Sequence, residues 1–315
     1  MRLLTSTLAL FLSIIVVGAT LPHDSSGISA RHNRLAQRAS SLEARAAAAK
    51  RCPNRTSKKV TTSPAPTNNL VKSNNSSSKA PAQTPAAQPP TTNGLINVKS
   101  NCGAIRATKE VTKLSGPNGH IDWLNCGFET SHGWQPPFIR MQDVITQSLS
   151  SALKSPSSPF KACSNFVWIF EKYGNQFGVP AIILASFAMQ ESGCNPATVG
   201  GAGEQGLMQI TQEKCVGAPG GNCRDPEFNI RTAAKFFAAT LAANNGDVLA
   251  SVGNYNGWHR GLTQWAAFAA GDTPCCRCQN NGDYLHQFFN GWCQNVNPYS
   301  HNPPLGKYFN LAKCG

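Results

Sequence analysis

The composition of this chain breaks at Cys102, and that break confines the fold to the residues beyond it. Residues 52–100 are rich in Thr, Ser, Pro, Asn and Ala, with Pro64, Pro66, Pro81, Pro85, Pro89 and Pro90 among them. Such a stretch buries too little apolar surface to offset the entropy of ordering it. It reads as a disordered, O-glycosylated linker, and the N-glycosylation sequons at Asn54, Asn74 and Asn75 all lie in it. Beyond the break about 214 residues remain, enough for one domain with a substantial core.

The segments before the linker carry an address. Arg2 gives a short basic start, Leu8 to Val17 is almost unbroken apolar sequence, and Val17-Gly18-Ala19 offers small residues for cleavage. Residues 1–19 therefore read as a secretory signal peptide; the run is short for a membrane span, and no second apolar stretch approaches spanning length. Residues 20–51 contain Arg31, Arg34, Arg38 and Arg45 and end on Lys50-Arg51, the layout of a pro-segment with a dibasic processing site. These features predict an extracellular, secreted protein with no membrane attachment after signal removal.

Twelve cysteines suit that compartment, because an even count in an oxidising space points to disulfides. Cys215 and Cys223 bracket a Gly-rich loop and read as a local pair. Cys275-Cys276-x-Cys278 has a metal-like look but lacks a matching second ligand pair, so disulfides are its expected use. No metal and no cofactor is expected. The net charge of +13 is uneven: residues 1–100 hold 13 Lys and Arg against 2 Asp and Glu, and the remainder 15 against 13. Nucleic-acid recognition needs basic residues on a folded surface with aromatic partners. Here the excess sits in a tail whose single aromatic residue is Phe11, which argues against a nucleic-acid partner.

Within the globular part, residues 101–160 read as an irregular lead-in packed on the main domain, with Trp123, Trp134 and Phe138 among Gly and Pro. Its tryptophans are expected in the core, the alternative being a small carbohydrate-contact lobe. Residues 161–315 read as helices. Phe166, Val167, Ile169, Phe170, Tyr173 and Phe177 recur at helical spacing, and Pro180 suits the start of a second helix through Ile182, Ile183, Leu184, Phe187, Ala188 and Met189. Asp225-Pro226 opens a helix to Ala243, Asp247 caps another ending near Asn254, and 263–270 and 283–292 are further candidates. No convincing alternation of apolar residues occurs. The fold class is mainly α and disulfide-braced, with a small irregular or β element near 200–211.

Glu191 emerges at the end of that second, apolar helix. Position alone allows two readings, an acid partly withdrawn from water or a helix-end Glu facing solvent. Its neighbours discriminate. Counting from Glu191 gives Ser192, then Asn195-Pro196, Gly203 and Gly206-Leu207-Met208-Gln209, with Asn254-Tyr255-Asn256-Gly257-Trp258 further on. In order and spacing these resemble the three motifs of the soluble lytic transglycosylase and goose-type lysozyme family, over about residues 165–265.

The resemblance implies a lysozyme-like fold with a cleft between helical lobes, and cleavage of a β-1,4-linked amino-sugar polymer. Glycosidic cleavage needs a proton for a poor leaving group and stabilisation of positive charge at the sugar carbon. Glu191 is implied as general acid and then base, with the Tyr255 hydroxyl near it; a Tyr that merely packs the last helix is the alternative. Gln209 is implied to bond substrate amides and Met208 to line the groove, ordinary core being the other reading of Met208. Asn256 holds substrate or ties down a turn, and Ser192 reads as structural. Three positions depart from the family: Gly200 stands where Ser is frequent, Thr198 and Glu204 where Ala is usual. Glu204 either turns inward, where it could bind substrate or activate water, or faces solvent as a loop residue, which is the expectation. The substrate expected is peptidoglycan, with chitin oligomers as the alternative, cut by a monomer. Competing classes are a non-catalytic glycan-binding module, which needs neither Glu191 nor Tyr255, and a disulfide-rich structural protein, which leaves the motifs without a use.

Overall fold

The computed structural model describes residues 94–200 and 203–314. The signal peptide, the pro-segment, the sequons and nearly all of the linker lie outside these residues. The α-helices are α1 Ile121–Leu124, α2 Leu149–Ala152, α3 Val167–Phe177, α4 Ala181–Ser192, α5 Pro226–Ala243, α6 Val248–Tyr255, α7 Gln264–Phe268 and α8 Tyr284–His286. From α3 onward they follow the periodicity and cap signals; α1 and α2 are single turns within the lead-in read as irregular. Short 3-10 turns lie in several of the connections. No strand longer than an isolated bridge occurs among the described residues; the antiparallel bridges Val199–Gln205 and Gln205–Ile210 form the small β element expected there. The class is mainly α, as expected.

Helix boundaries have local chemical causes. Pro159–Phe166 is a 3-10 lead into α3, which closes on Gly178 in the left-handed conformation. Asp225 caps α5 by accepting from the Phe228 N–H at 2.8 Å, and Asp247 caps α6 by accepting from Ala250 at 3.1 Å. Asp247 also pairs with Arg260 at 2.8 Å. The expected 283–292 helix is real but changes type: α8 runs into a π-helical turn, Gln287–Gly291, and then a 3-10 turn, Trp292–Gln294.

α4 is the central element. It is buried from Ile182 through Glu191, the signature of a helix apolar on every side rather than along one stripe. α3 packs against it, α5 packs on α3, α6 on α5, and the π and 3-10 turns after α8 close its far side. The lead-in belongs to the same core. Trp123 and Trp134 are wholly buried, so they serve packing rather than sugar contact. Trp134 donates to the Leu124 carbonyl at 3.0 Å, and its ring lies so close to Gly253 of α6 that a Cβ there would sit 2.4 Å from it.

The folded part also starts earlier than the composition break. Ile96 is buried, and the Ser100 hydroxyl accepts from Trp123 Nε1 at 2.9 Å. The linker expected to run to residue 100 thus gives its last residues to the core.

Disulfides join Cys102–Cys126, Cys163–Cys194, Cys215–Cys223, Cys275–Cys278 and Cys276–Cys314. The local 215–223 pair and the disulfide use of 275, 276 and 278 match the sequence reading. Cys293 keeps a buried thiol, its pKa pushed up to about 12 by burial; Cys52 lies outside the described residues. Among the described residues no helix is long and apolar enough to cross a membrane.

Candidate active site

Glu191 lies in the last turn of α4 with no solvent exposure. The helix stops directly after it. Gly193 takes the left-handed conformation and Cys194 N–H returns to the Ala188 carbonyl at 3.0 Å, a C-cap that turns the chain sharply. The Cys163–Cys194 disulfide fixes that turn to the 3-10 segment before α3. Ser192 donates to the Ala188 carbonyl at 3.1 Å and to the Leu207 carbonyl at 2.8 Å. These bonds fasten the end of the acid's helix to the segment fifteen residues on.

That segment is a built turn. Gly206 has φ +74°, and a Cβ on it would lie 2.7 Å from the buried Asn229 amide. Asn229 in turn accepts from Met208 N–H at 2.8 Å and donates to the carbonyls of Gln205 and Cys223. Glycine is required at 206 both for its backbone angle and for this approach. Gln209 donates its amide to the carbonyls of Gly206 at 2.8 Å and Thr198 at 3.2 Å, which leaves its Oε1 as a buried acceptor with no hydrogen-bond partner in the protein.

Two phenols converge on the acid. Tyr255, at the end of α6, is buried; its hydroxyl donates to the Met208 carbonyl at 2.8 Å. Burial raises its pKa well above the ordinary value, and the nearby Glu191 charge adds to the shift. Tyr284, at the start of α8, donates to Glu191 Oε1 at 3.0 Å, with a pKa raised for the same two reasons in the same order. Phe187 packs against Tyr255, with ring centroids 4.2 Å apart, so the acid's helix and α6 share an aromatic contact one turn below the carboxyl.

Each residue singled out in the sequence has a definite place here. Glu191 is buried rather than facing solvent. Tyr255 is near it, with its hydroxyl on the Met208 main chain, while the phenol bonded to the carboxyl is Tyr284, which the sequence reading does not single out. Met208, read in the sequence either as groove lining or as ordinary core, has its side chain wholly buried in the core; what it offers the turn is its main chain. Gln209 is in the turn, its N–H groups used internally. Asn256 caps α6, and its side-chain oxygen and main-chain carbonyl accept from Asn281 N–H and the Asn280 side chain, at 3.2 and 2.8 Å. It ties down a turn. Glu204, expected to face solvent, is instead buried at 1% exposure. The reason is its place one residue before Gln205, which bridges to both Val199 and Ile210, so the tight turn carries the side chain inward.

The sequence signal for Tyr284 is faint. It begins the helical stretch read from 283–292, but no motif marks it, and a π-helical turn has no compositional mark. Among the described residues no cluster of three or more His, Cys, Asp or Glu could hold a metal ion.

Residues 169–271 match the family model described as the transglycosylase SLT domain, roughly a third of the chain. This stretch is thus a transglycosylase SLT domain, a type of domain whose general activity is lytic cleavage of peptidoglycan. Glu191, Glu204, Met208, Gln209, Tyr255 and Asn256 fall within the match. Tyr284 falls beyond its end.

Proposed function

We propose that this chain is a secreted lytic transglycosylase that cleaves the β-1,4 bonds of peptidoglycan with Glu191 as its single acid and base. One observation carries the reading: a fully buried glutamate closes the central helix of an SLT domain, with a tyrosine hydroxyl 3.0 Å from its carboxyl oxygen. Removal from water favours the uncharged form of a carboxyl, which is the form that has a proton to give.

The chemistry balances with one carboxyl. Glu191 transfers its proton to the glycosidic oxygen as the bond from that oxygen to the anomeric carbon breaks, and positive charge develops on the sugar ring. The same sugar's 6-hydroxyl then bonds to the anomeric carbon and returns its proton to the Glu191 carboxylate, leaving a 1,6-anhydro end. Tyr284 keeps the carboxylate in one orientation through both steps, since its hydroxyl can donate to the ionised form. Tyr255, by holding the Met208 carbonyl, fixes the 206–209 turn against the same helix end. Gln209 Oε1 supplies an acceptor for a substrate N–H, and Asn256 acts through the 280–281 segment it holds.

One observation favours a second reading, hydrolysis. Glu204 is turned into the protein within the bridged segment that carries Met208 and Gln209, and an inward carboxylate is what activation of water requires. Digestion of purified peptidoglycan followed by mass spectrometry separates the two, because the anhydro product is lighter by one water. Predominantly hydrated ends establish the second reading; intact polymer removes both. Chitin oligomers run beside peptidoglycan identify the preferred polymer.

The same reading makes the chain an extracellular glycoprotein acting as a monomer after loss of residues 1–19. The apolar run from Leu8 to Val17, the linker sequons and the disulfides support it.

A further inference from the structure

Tyr299 lies past the SLT match, in an irregular segment to which no role attaches. Its hydroxyl accepts from Gln190 Nε2 at 2.7 Å, and Gln190 immediately precedes Glu191 on α4. The other end of that amide is also held, because Trp292 Nε1 donates to Gln190 Oε1 at 2.6 Å. Trp292 and Tyr299 meet with ring centroids 5.9 Å apart at 63°. A closed set of three side chains therefore fixes the Tyr299 hydroxyl beside the helix end that bears the acid.

Tyr299 is not fully enclosed. The residue retains 40% exposure, while burial is the first cause of the upward shift in its hydroxyl pKa and the Glu191 charge is a further one. The hydroxyl is taken up by Gln190, and the residue as a whole stays 40% exposed. An edge-to-face neighbour covers at most one face of a ring. The backbone is also pinned: Tyr299 and Ser300 N–H groups both donate to the Asn297 side chain, and Leu305 N–H returns to the Pro298 carbonyl. Such a ring has been ordered before any ligand arrives, so little entropy is left to lose on binding.

We propose that Tyr299 is a substrate-binding platform: its ring, hung from Gln190, stacks on the apolar face of a pyranose in the glycan strand and sets that sugar's position relative to Glu191. The inference rests on the glycan-cleaving reading above. It assigns to the C-terminal segment a share in recognising an amino-sugar polymer. A stacked face reads ring shape rather than substituents, so the platform accepts successive sugars of a strand irrespective of their peptide side chains.

The test uses the full chain on soluble, peptide-free peptidoglycan strands, with KM and kcat measured for wild type, Tyr299→Phe and Tyr299→Leu. Phenylalanine keeps the ring and loses the hydroxyl; leucine loses the ring. The expected result is a KM raised roughly tenfold in Tyr299→Leu with kcat within about twofold, and a rise of only about threefold in Tyr299→Phe, whose ring stays against Trp292 but loses its tether to Gln190. A wild-type KM in Tyr299→Leu overturns the platform, as does an equal loss in both variants, which would make Tyr299 a prop for Gln190. Should Tyr299→Leu fail to fold, the Glu191→Gln protein is titrated with the same strands while the Tyr299 ring protons are followed by NMR. Shifted ring signals support stacking, and unmoved ones overturn it. The parent reading fails in a distinguishable way: wild type then leaves the strands uncut, and Glu191→Gln behaves as wild type does.

Discussion

Ser192 Oγ lies 2.8 Å from the Leu207 carbonyl oxygen. That single bond ties the Glu-Ser pair to the Gly-Leu-Met-Gln run in space. The residue after the acid is stitched to the turn that carries Met208 and Gln209, and Tyr255 reaches the same turn from the opposite side through the Met208 carbonyl. Acid, turn and α6 thus form one mechanical unit.

Glu191→Gln is expected to abolish turnover while leaving the fold intact. The amide is nearly isosteric and can still accept from Tyr284, but it has no acidic proton, so kcat falls by on the order of a hundredfold or more. Product release from peptidoglycan, with circular dichroism as the folding control, checks this. Wild-type turnover in a folded variant sinks the assignment.

Tyr284→Phe keeps the ring in the core and removes only the hydroxyl that meets the carboxyl. Loss of a hydrogen bond to an ionised group should lower kcat roughly tenfold, with KM and thermal midpoint little changed. A kcat equal to wild type would show that Tyr284 orients nothing.

The stability of the fold should fall in mild acid through His286. It is fully buried, its Nε2 donating to the Lys113 carbonyl and its Nδ1 accepting from Asn290, each at 3.0 Å. Burial, its first cause, lowers the pKa from 6.5 to about 4. Between those two values the unfolded chain binds a proton that the folded chain refuses. The stabilisation is therefore complete above pH 6.5, declines as pH drops, and is spent by about pH 4, a loss of about 3 kcal/mol at most. Asp247 and Asp283, whose pKa values burial raises above 3.8, favour the folded state as pH falls and partly offset it. Urea unfolding across this range should show a shallower slope in His286→Gln than in wild type; identical slopes would refute the point.

A chain shortened to begin at residue 94 should keep its specific activity on soluble glycan. One beginning at residue 102 loses the buried Ile96 and the Ser100 partner of Trp123, and should be less stable by roughly 2–4 kcal/mol. Equal midpoints for the two would show that residues 94–101 contribute nothing.

Glu204→Gln tests the choice of nucleophile. If wild type yields anhydro ends, as proposed, the variant should preserve the product and change the rate by no more than a few fold. A shift in the ratio of hydrated to anhydro ends would assign Glu204 a part in delivering water.

Much of this architecture is legible in the sequence because its signals are local. Asp225 and Asp247 announce their helices through caps, and the unbroken apolar run at 182–189 announces a central one. The acid is legible through spacing. Tyr284 and the inward turn of Glu204 are not, for different reasons. The first depends on a contact across 93 positions of chain between helices whose packing no short window encodes. The second depends on a two-bridge turn that buries a charged side chain against its usual preference. Of the two places the sequence allowed Met208, groove lining or core, its side chain takes the core, with its N–H held by Asn229.

The distance along the chain between Glu191 and Tyr284 also bears on biosynthesis. A nascent polypeptide that has passed Glu191, the 206–209 turn and Tyr255 still lacks the phenol that meets the carboxyl. It also lacks Asn280 and Asn281, which clasp Asn256, and Cys314, the partner of Cys276. The assembled centre is thus a late product of translation, and a chain interrupted after Tyr255 but before residue 284 carries a glutamate whose tyrosine has yet to be made.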